Sequence, residues 1–261
     1  GNHRVVKNLL RVLVKWQKEH GFPFQFYTEA SLDLAQDDEL LALMIRAGFN
    51  MVFVGIETPD EETLRATNKR QNVRAGVLPS VEKLERAGLE VSAGFIVGFD
   101  TDPPDIFDRQ IACINQAAIP VAMVGLLSAL PGTQLERRLA AEGRLRGAAD
   151  GNNVYALQMD FDPVMAEDKL VAGYLRILST IYEPRSFFER CLRLIKRYPR
   201  RPTAPGKLSP AEMRAFFRSL LRQTFSGYGP WYLWFLTRVL IRNPLRISDA
   251  VAFAVRGHHF F

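Results

Sequence analysis

Residues 40–57, LLALMIRAGFNMVFVGIE, and residues 81–99, VEKLERAGLEVSAGFIVGF, decide the fold. In each, apolar residues recur at helical spacing, a glycine follows (Gly48, Gly88), and a run rich in Val, Ile and Phe comes next. A glycine just past a helix takes the left-handed conformation at no steric cost. A nearly continuous apolar run reads as a strand buried on both faces of a parallel sheet. RAGF (46–49) and RAGL (86–89) are echoes of one unit. Working outward, LLRVLVKWQKEHGFPFQFYTE (9–29) repeats the grammar through Gly21, and IFDRQIACINQAAI followed by PVAMVGLLSAL (106–130) supplies a fourth unit. Strands are expected at Phe24–Glu29, Met51–Glu57, Val91–Phe99 and after Pro120. Thr58-Pro59-Asp60-Glu61 reads as a capping box with Thr58 at the N-cap, and Asp102-Pro103-Pro104-Asp105 as a similar helix start. Helices alternating with strands argue for a parallel sheet with right-handed crossovers. Two architectures fit: an open doubly wound sheet and a partial TIM-like barrel. A closed barrel needs about 250 residues, so four strands would make half of one.

The 261 residues are 48% hydrophobic and 24% charged, the balance of a globular chain. No uncharged apolar run is long enough to cross a bilayer, and the charged start is no secretory signal. Cys113 and Cys191 form no CxxC pair and read as reduced thiols of an intracellular protein, and the four histidines show no ligand spacing. No metal ligands are assigned to this chain. The net charge of +6 is uneven: residues 1–150 carry 17 Lys and Arg against 20 Asp and Glu, and residues 151–261 carry 17 against 8. Such asymmetry suggests two segments with different tasks.

In either architecture ligands bind at the carboxyl ends of the strands. Glu29, Glu57 and Asp100 each close an expected strand and could meet at one rim, or cap helices and face water. Gly94-Phe95-Ile96-Val97-Gly98 places a glycine at each end of a strand. Glycine weakens a strand unless something approaches the backbone closely, either a flat ring or a packed helix. The chain has no GxGxxG after the first strand, no phosphate-loop GxxxxGK, no GxSxG and no HExxH, so a phosphate cradle and those hydrolase sites are not supported.

The string FYTEASLDLAQDDELLALMIRAGFNMVFVGIETPDEETLRATNKRQN (26–72) resembles the later strands of the radical S-adenosylmethionine (SAM) core, as does VSAGFIVGFDTDPPDIFDRQIACINQAAIPVAMVGLLSALPGTQLERRLAAEGRL (91–145). More narrowly, the chain resembles the cobalamin-binding radical SAM proteins with a DUF4070-type C-terminal domain. The resemblance implies an α/β fold: a partial barrel of six βα units, of which residues 1–147 are the C-terminal portion, and a helical, basic domain over 148–261. It implies SAM, a 4Fe-4S cluster held by a CxxxCxxC triplet, and cobalamin. That chemistry yields either a 5′-deoxyadenosyl radical or methyl transfer to an unactivated carbon. The three cluster cysteines are absent here, so the cluster loop and the cobalamin domain are expected on an N-terminal remainder of the same polypeptide, and this chain is expected to be inactive alone. Carried over residue by residue, Glu57 and Thr58 match the strand-four SAM position. Gly94, Ile96 and Gly98 match the GxIxG motif that faces the adenine. Leu127, Ser128 and Ala129 match backbone contacts to the adenine edge. Glu29 matches an inward acid at the end of strand three. No catalytic acid or base is named, because the hard chemistry belongs to the cofactors. The alternative is a truncated or degenerate, non-catalytic interaction module.

In the second segment, 170–182 and 186–198 are amphipathic helical patterns. Ser209-Pro210-Ala211-Glu212 opens a helix on which Arg214, Arg218 and Arg222 line one face, with Met213, Phe216, Phe217, Leu220 and Leu221 expected opposite. Gly229-Pro230 introduces WYLWFLTRVLI, stopped by Asn243-Pro244. This helix suits a cover over the open side of the partial barrel, and second a peripheral contact of 229–243 with an anionic membrane surface. Nucleic acid is not expected, since no binding motif accompanies the charge. Hopanoid methylases belong to the resembled subgroup, so the expected substrate is a small molecule or lipid, and the expected place is the cytoplasm, peripheral at the inner membrane.

Overall fold

The computed structural model describes residues 3–67, 69–146, 157–199 and 210–261. The expected boundary at 147/148 and nearly all of the loop 199–207 lie outside the described residues. The elements run α1 (His3–Glu19), β1 (Phe26–Ala30), α2 (Asp38–Ala47), β2 (Phe49–Glu57), α3 (Glu61–Ala66), α4 (Arg70–Ala75), α5 (Val77–Ala87) and β3 (Glu90–Val97). Then follow α6 (Ile106–Ala117), β4 (Ala122–Leu126), α7 (Gln134–Ala141), α8 (Glu167–Ile181), α9 (Pro184–Arg197), α10 (Pro210–Thr224), α11 (Gly229–Arg242) and α12 (Ile247–Gly257).

The four strands pair in parallel and in chain order, β1-β2-β3-β4. A doubly wound sheet reverses its strand order at a switch point. This sheet has no reversal, so every crossover lands on the same face, and the architecture is that of a partial TIM-like barrel. Gly48 and Gly88 close α2 and α5 in the left-handed conformation, at φ 99° and 108°. One face of the strands enters the helical core, and on the other only Glu90 and Ser92 at the start of β3 are buried among the described residues, which corrects the two-sided expectation. Val52, Val54 and Ile56 of β2 and Val91, Ala93, Phe95 and Val97 of β3 are buried, and join side chains of α1, α2, α5, α6 and α8 in one core. The alternate residues line the other face, where Tyr27 and Met123 are exposed and Phe53 is half-buried. Apolar side chains on both faces had hidden the period-two alternation.

Two helix starts also differ from expectation. The N-cap of α3 is Asp60, whose Oδ1 accepts from Thr63 N at 2.9 Å. Thr58 lies two residues earlier, and its hydroxyl accepts from Asp60 N. Asp105 precedes α6 without a side-chain cap, because Asp102 turns back toward β3. Thr133 caps α7 by accepting from Glu136 N, and Glu136 reaches back to accept from Gly132 N, one residue before the cap.

Helix α8 belongs to the sheet's core through Leu170, Tyr174, Ile177 and Ile181. Helices α9, α11 and α12 form a second core around Phe187, Phe188, Tyr232 and Phe235. This unit docks on the amino-terminal edge of the sheet. Tyr182 bonds both Ala122 N and Ala122 O, at the start of β4. Arg256 pairs with Glu90, at the start of β3, and Tyr198 OH donates to Asn50 O in β2. Arg190 is fully buried, and its guanidinium donates to Ile119 O, Asn115 Oδ1 and Ile181 O. Arg197 donates to Ala117 O and to Glu85. Cations at the carbonyl end of α6 oppose the helix dipole favourably. The expected cover over the open sheet face is therefore corrected: these helices sit at the opposite edge from the carboxyl rim.

The α6–α8 contact is tight. A Cβ on Gly173 would lie 2.3 Å from the Phe107 ring. Gly173→Ala should destabilise the chain by about 1–3 kcal/mol, the usual cost of overpacking a core. Urea denaturation measures this.

Candidate functional site

Strand β2 ends on an irregularity. The β2–β3 register shifts between Gly55 and Glu57, and Glu57 adopts φ +68°. That conformation is unfavourable for a residue with a Cβ and costs on the order of 1 kcal/mol or more. A bulge of this kind re-aims a side chain at the end of a strand. Here it swings the Glu57 carboxylate back over Gly55. A Cβ at Gly55 would lie 2.7 Å from Glu57 Oε1, so a larger residue there would displace the carboxylate from this position. Lys69 Nζ donates to the same Oε1 at 2.8 Å, while Oε2 accepts nothing from the described residues. Asn72 fixes the turn from behind by donating to Gly55 O at 3.0 Å. Thr58 is fully buried and braces the turn rather than facing the rim.

The neighbouring strand brings Gly94 opposite Gly55, and Gly94 opposite Met123 of β4. Ile96 pairs with Gly125. The register places Gly55, Gly94, Ile96 and Gly125 on the face away from the helices, and the bulge, which sets Glu57 level with buried Phe95, turns its carboxylate onto that face beside Gly55. The reason for glycine at 94 is the Phe53 ring, whose Cζ lies 3.1 Å from where a Cβ would be. The packed partner is a side chain of the adjacent strand, not a helix. Gly125 differs: a Cβ there meets nothing within 4 Å. Its reading from sequence was missed, although a glycine inside the run AMVGL was the available signal. Lys69 was likewise missed.

Gly98 follows β3 at φ +109°, a conformation that favours glycine. Its N–H donates to Asp102 Oδ2 at 2.7 Å, and Phe99 N donates to the same oxygen at 3.0 Å. Asp102 Oδ1 is buried with no partner. Burial pushes this carboxyl up to about 6, partly offset by the two backbone N–H donors. Leu127 N continues the ladder to Val97 O, and Leu127 lies against Gly98. Ser128 Oγ and Ala129 N both donate to Asp160, which pins the turn after β4.

Not all rim acids converge. Glu29 is exposed at the end of β1, level with Phe53 in the register and removed from Glu57 by that ring's row. Asp100 is drawn outward by Arg144 and Arg138, each within 2.7 Å, with the Arg144 guanidinium holding its carboxyl below the usual range. The sequence expectation of three carboxylates at one ligand is thus reduced to Glu57.

The cysteines offer no metal site. Cys113 and Cys191 are buried in different cores, and burial pushes the Cys113 thiol up to about 12 and Cys191 higher still. Iron–sulfur clusters require thiolates, and the described residues hold no group of three or more His, Cys, Asp or Glu suited to a metal ion. This part of the chain does not fit a cluster. The rim does fit an adenosyl ligand: it offers an open glycine, an aliphatic wall at Ile96 and a carboxylate with one oxygen that no described residue engages.

The model of the Radical SAM superfamily matches residues 3–109, and a domain of unknown function, DUF4070, matches residues 133–261. The chain belongs to the radical SAM superfamily. An uncharacterized methyltransferase of Synechocystis is 36% identical over 263 residues, covering 100% of this chain and 49% of the relative. A hopanoid C-2 methylase of Rhodopseudomonas palustris is 34% identical over 267 residues, covering 99% of this chain and 49% of the relative. A bacteriochlorophyllide d C-8(2)-methyltransferase of Chlorobaculum tepidum is 23% identical over 168 residues, covering 59% and 37%. The chain spans about half the length of the first two relatives. In this radical SAM chain the DUF4070 match includes α8, so the sheet's core crosses from one matched segment into the other.

Asp102 gives a pH test of the rim. Its folded value of about 6 lies above the ordinary 3.8, so the folded state keeps this proton where the unfolded chain has lost it. Stability should therefore fall as pH rises from about 4 to 6, by about 2 kcal/mol from this group. Asp102→Asn should flatten that segment of the stability–pH curve relative to the parent. Denaturation midpoints across the range measure it.

Proposed function

We propose that the open face of the sheet is the SAM-binding side of a radical SAM methyltransferase whose iron–sulfur ligands and cobalamin site lie on polypeptide beyond this chain. The observation that carries the reading is the union of the strained Glu57 carboxylate with Gly94, Ile96 and Gly125 on one face at the carboxyl rim. Bound there, SAM would supply a transferable methyl group. Glu57 would accept from ribose hydroxyls or the amino group through its free oxygen, held in place by Lys69. Ile96 would lie against the adenine, with Gly125 leaving its edge clear. The turn at Gly98, Leu127 and Ser128 would present backbone groups to the base, fixed by Asp102 and Asp160. Glu29 stands at the outer margin of the same face, where it would meet substrate before SAM.

The relatives named as a hopanoid C-2 methylase and a bacteriochlorophyllide d C-8(2)-methyltransferase support methyl transfer to carbon. A lipid substrate goes with a peripheral membrane contact through 229–243. No described helix is long and apolar enough to cross a membrane.

The test is SAM affinity in the whole protein, reconstituted anaerobically, by equilibrium titration. Glu57→Ala should weaken binding about tenfold or more, the worth of a charge-assisted hydrogen bond. An unchanged affinity would remove Glu57 from the site. Gly125→Val should leave thermal stability unchanged, because the space is open, yet lower SAM affinity by a similar factor. If the reconstituted whole protein binds no SAM, the non-catalytic alternative replaces this reading.

A further inference from the structure

Helix α10 does not segregate its residues as its sequence suggests. Phe216 and Leu220 pack into the second core. Phe217 and Leu221 are exposed, as is Phe225 one turn further, which is 83% exposed. These three fall at i, i+4 and i+8, and so do Arg214, Arg218 and Arg222, also exposed. The expected opposition of arginines to Phe217 and Leu221 is corrected: an apolar stripe and a basic stripe run side by side on the outward face. No described carboxylate pairs with those arginines.

The adjoining helix repeats the arrangement. On α11, Leu233, Leu240 and Ile241 are exposed, and Arg238 flanks them with its guanidinium 5.5 Å over the Trp234 ring. Leu245 extends the stripe past Asn243. Residues 210–261 carry seven arginines against two acids.

We propose that the outward faces of α10 and α11 form a docking surface for an anionic lipid bilayer. The inference deepens the membrane contact given above to 229–243 by adding α10, and it depends on no step of the SAM reading. Charge complementarity selects the occupant. A second copy would bring two arginine stripes together, which repel. Nucleic acid would use the arginines but leave Leu221, Leu233, Leu240 and Ile241 idle, since aliphatic side chains offer bases nothing to stack on. A bilayer uses both stripes: the apolar side chains enter the acyl boundary while arginines meet anionic headgroups. Half-buried Trp231 and Trp234 are suited to that interface.

The test is co-sedimentation of the intact protein with vesicles of phosphatidylcholine alone, or of phosphatidylcholine mixed with phosphatidylglycerol. Binding should require the anionic lipid and weaken with salt. F217S/L221S/F225S and R214Q/R218Q/R222Q should each reduce partitioning about tenfold or more, with Tm and SAM affinity retained. Equal binding to both vesicles, or undiminished binding by both variants, overturns the proposal. So does tight single-stranded RNA binding that only the arginine variant abolishes. Concentration-dependent self-association without vesicle binding, lost in the apolar variant, overturns it in favour of a second copy.

Discussion

Parallel pairing in chain order is the constraint on which everything else rests. Each strand must return to the same edge before the next begins, so all carboxyl ends share one rim and all amino ends the other. The crossovers land on one face and give it a continuous core. The opposite face is left to glycines and a few large side chains. Polarity of the backbone thus separates two tasks before any side chain is considered. The rim carries the site proposed above, and the amino edge receives helices of the segment matched by DUF4070.

Within the rim, small residues and one strained residue act together. Gly55 is empty so that Glu57 can fold over it, and Gly94 is empty so that Phe53 can cross it. Among the described glycines within the strands, only Gly125 leaves space that neighbouring side chains do not fill. The left-handed backbone at Glu57 stores strain that the Asn72 bonds and the Lys69 pair offset. Strain of this sort is retained where a side chain must stand in one place.

The succession of units was readable because Gly48 and Gly88 end helices in a way that leaves a local mark. Glu57, Gly94 and Ile96 were grouped by the family resemblance, because apolar residues on both faces concealed the strand period that would have placed them together. Other features turn on distant partners. Asp100 resembles a rim acid until Arg138 and Arg144 draw it outward from far along the chain. Thr58 and Asp60 are both plausible N-caps two residues apart, and the turn geometry chooses Asp60. Phe216 and Phe217 are adjacent aromatics, and which one turns inward depends on how α10 rolls against α11. The seat of the C-terminal helices is set by Arg190, Arg197 and Tyr198 contacts that no local pattern announces.

The buried guanidinium of Arg190 has a consequence for how the molecule could be divided. It finds neutral oxygens on α6, on the segment before β4 and at the end of α8, and no carboxylate among its hydrogen-bond partners. Severing the chain after α8 would strip those oxygens of their donor and bare the flank of the sheet. The fragment retaining Arg190 would hold an unneutralised charge with only Ser186 left among its hydrogen-bond acceptors. Two segments that sequence comparison matches separately thus share one hydrophobic core in the folded molecule.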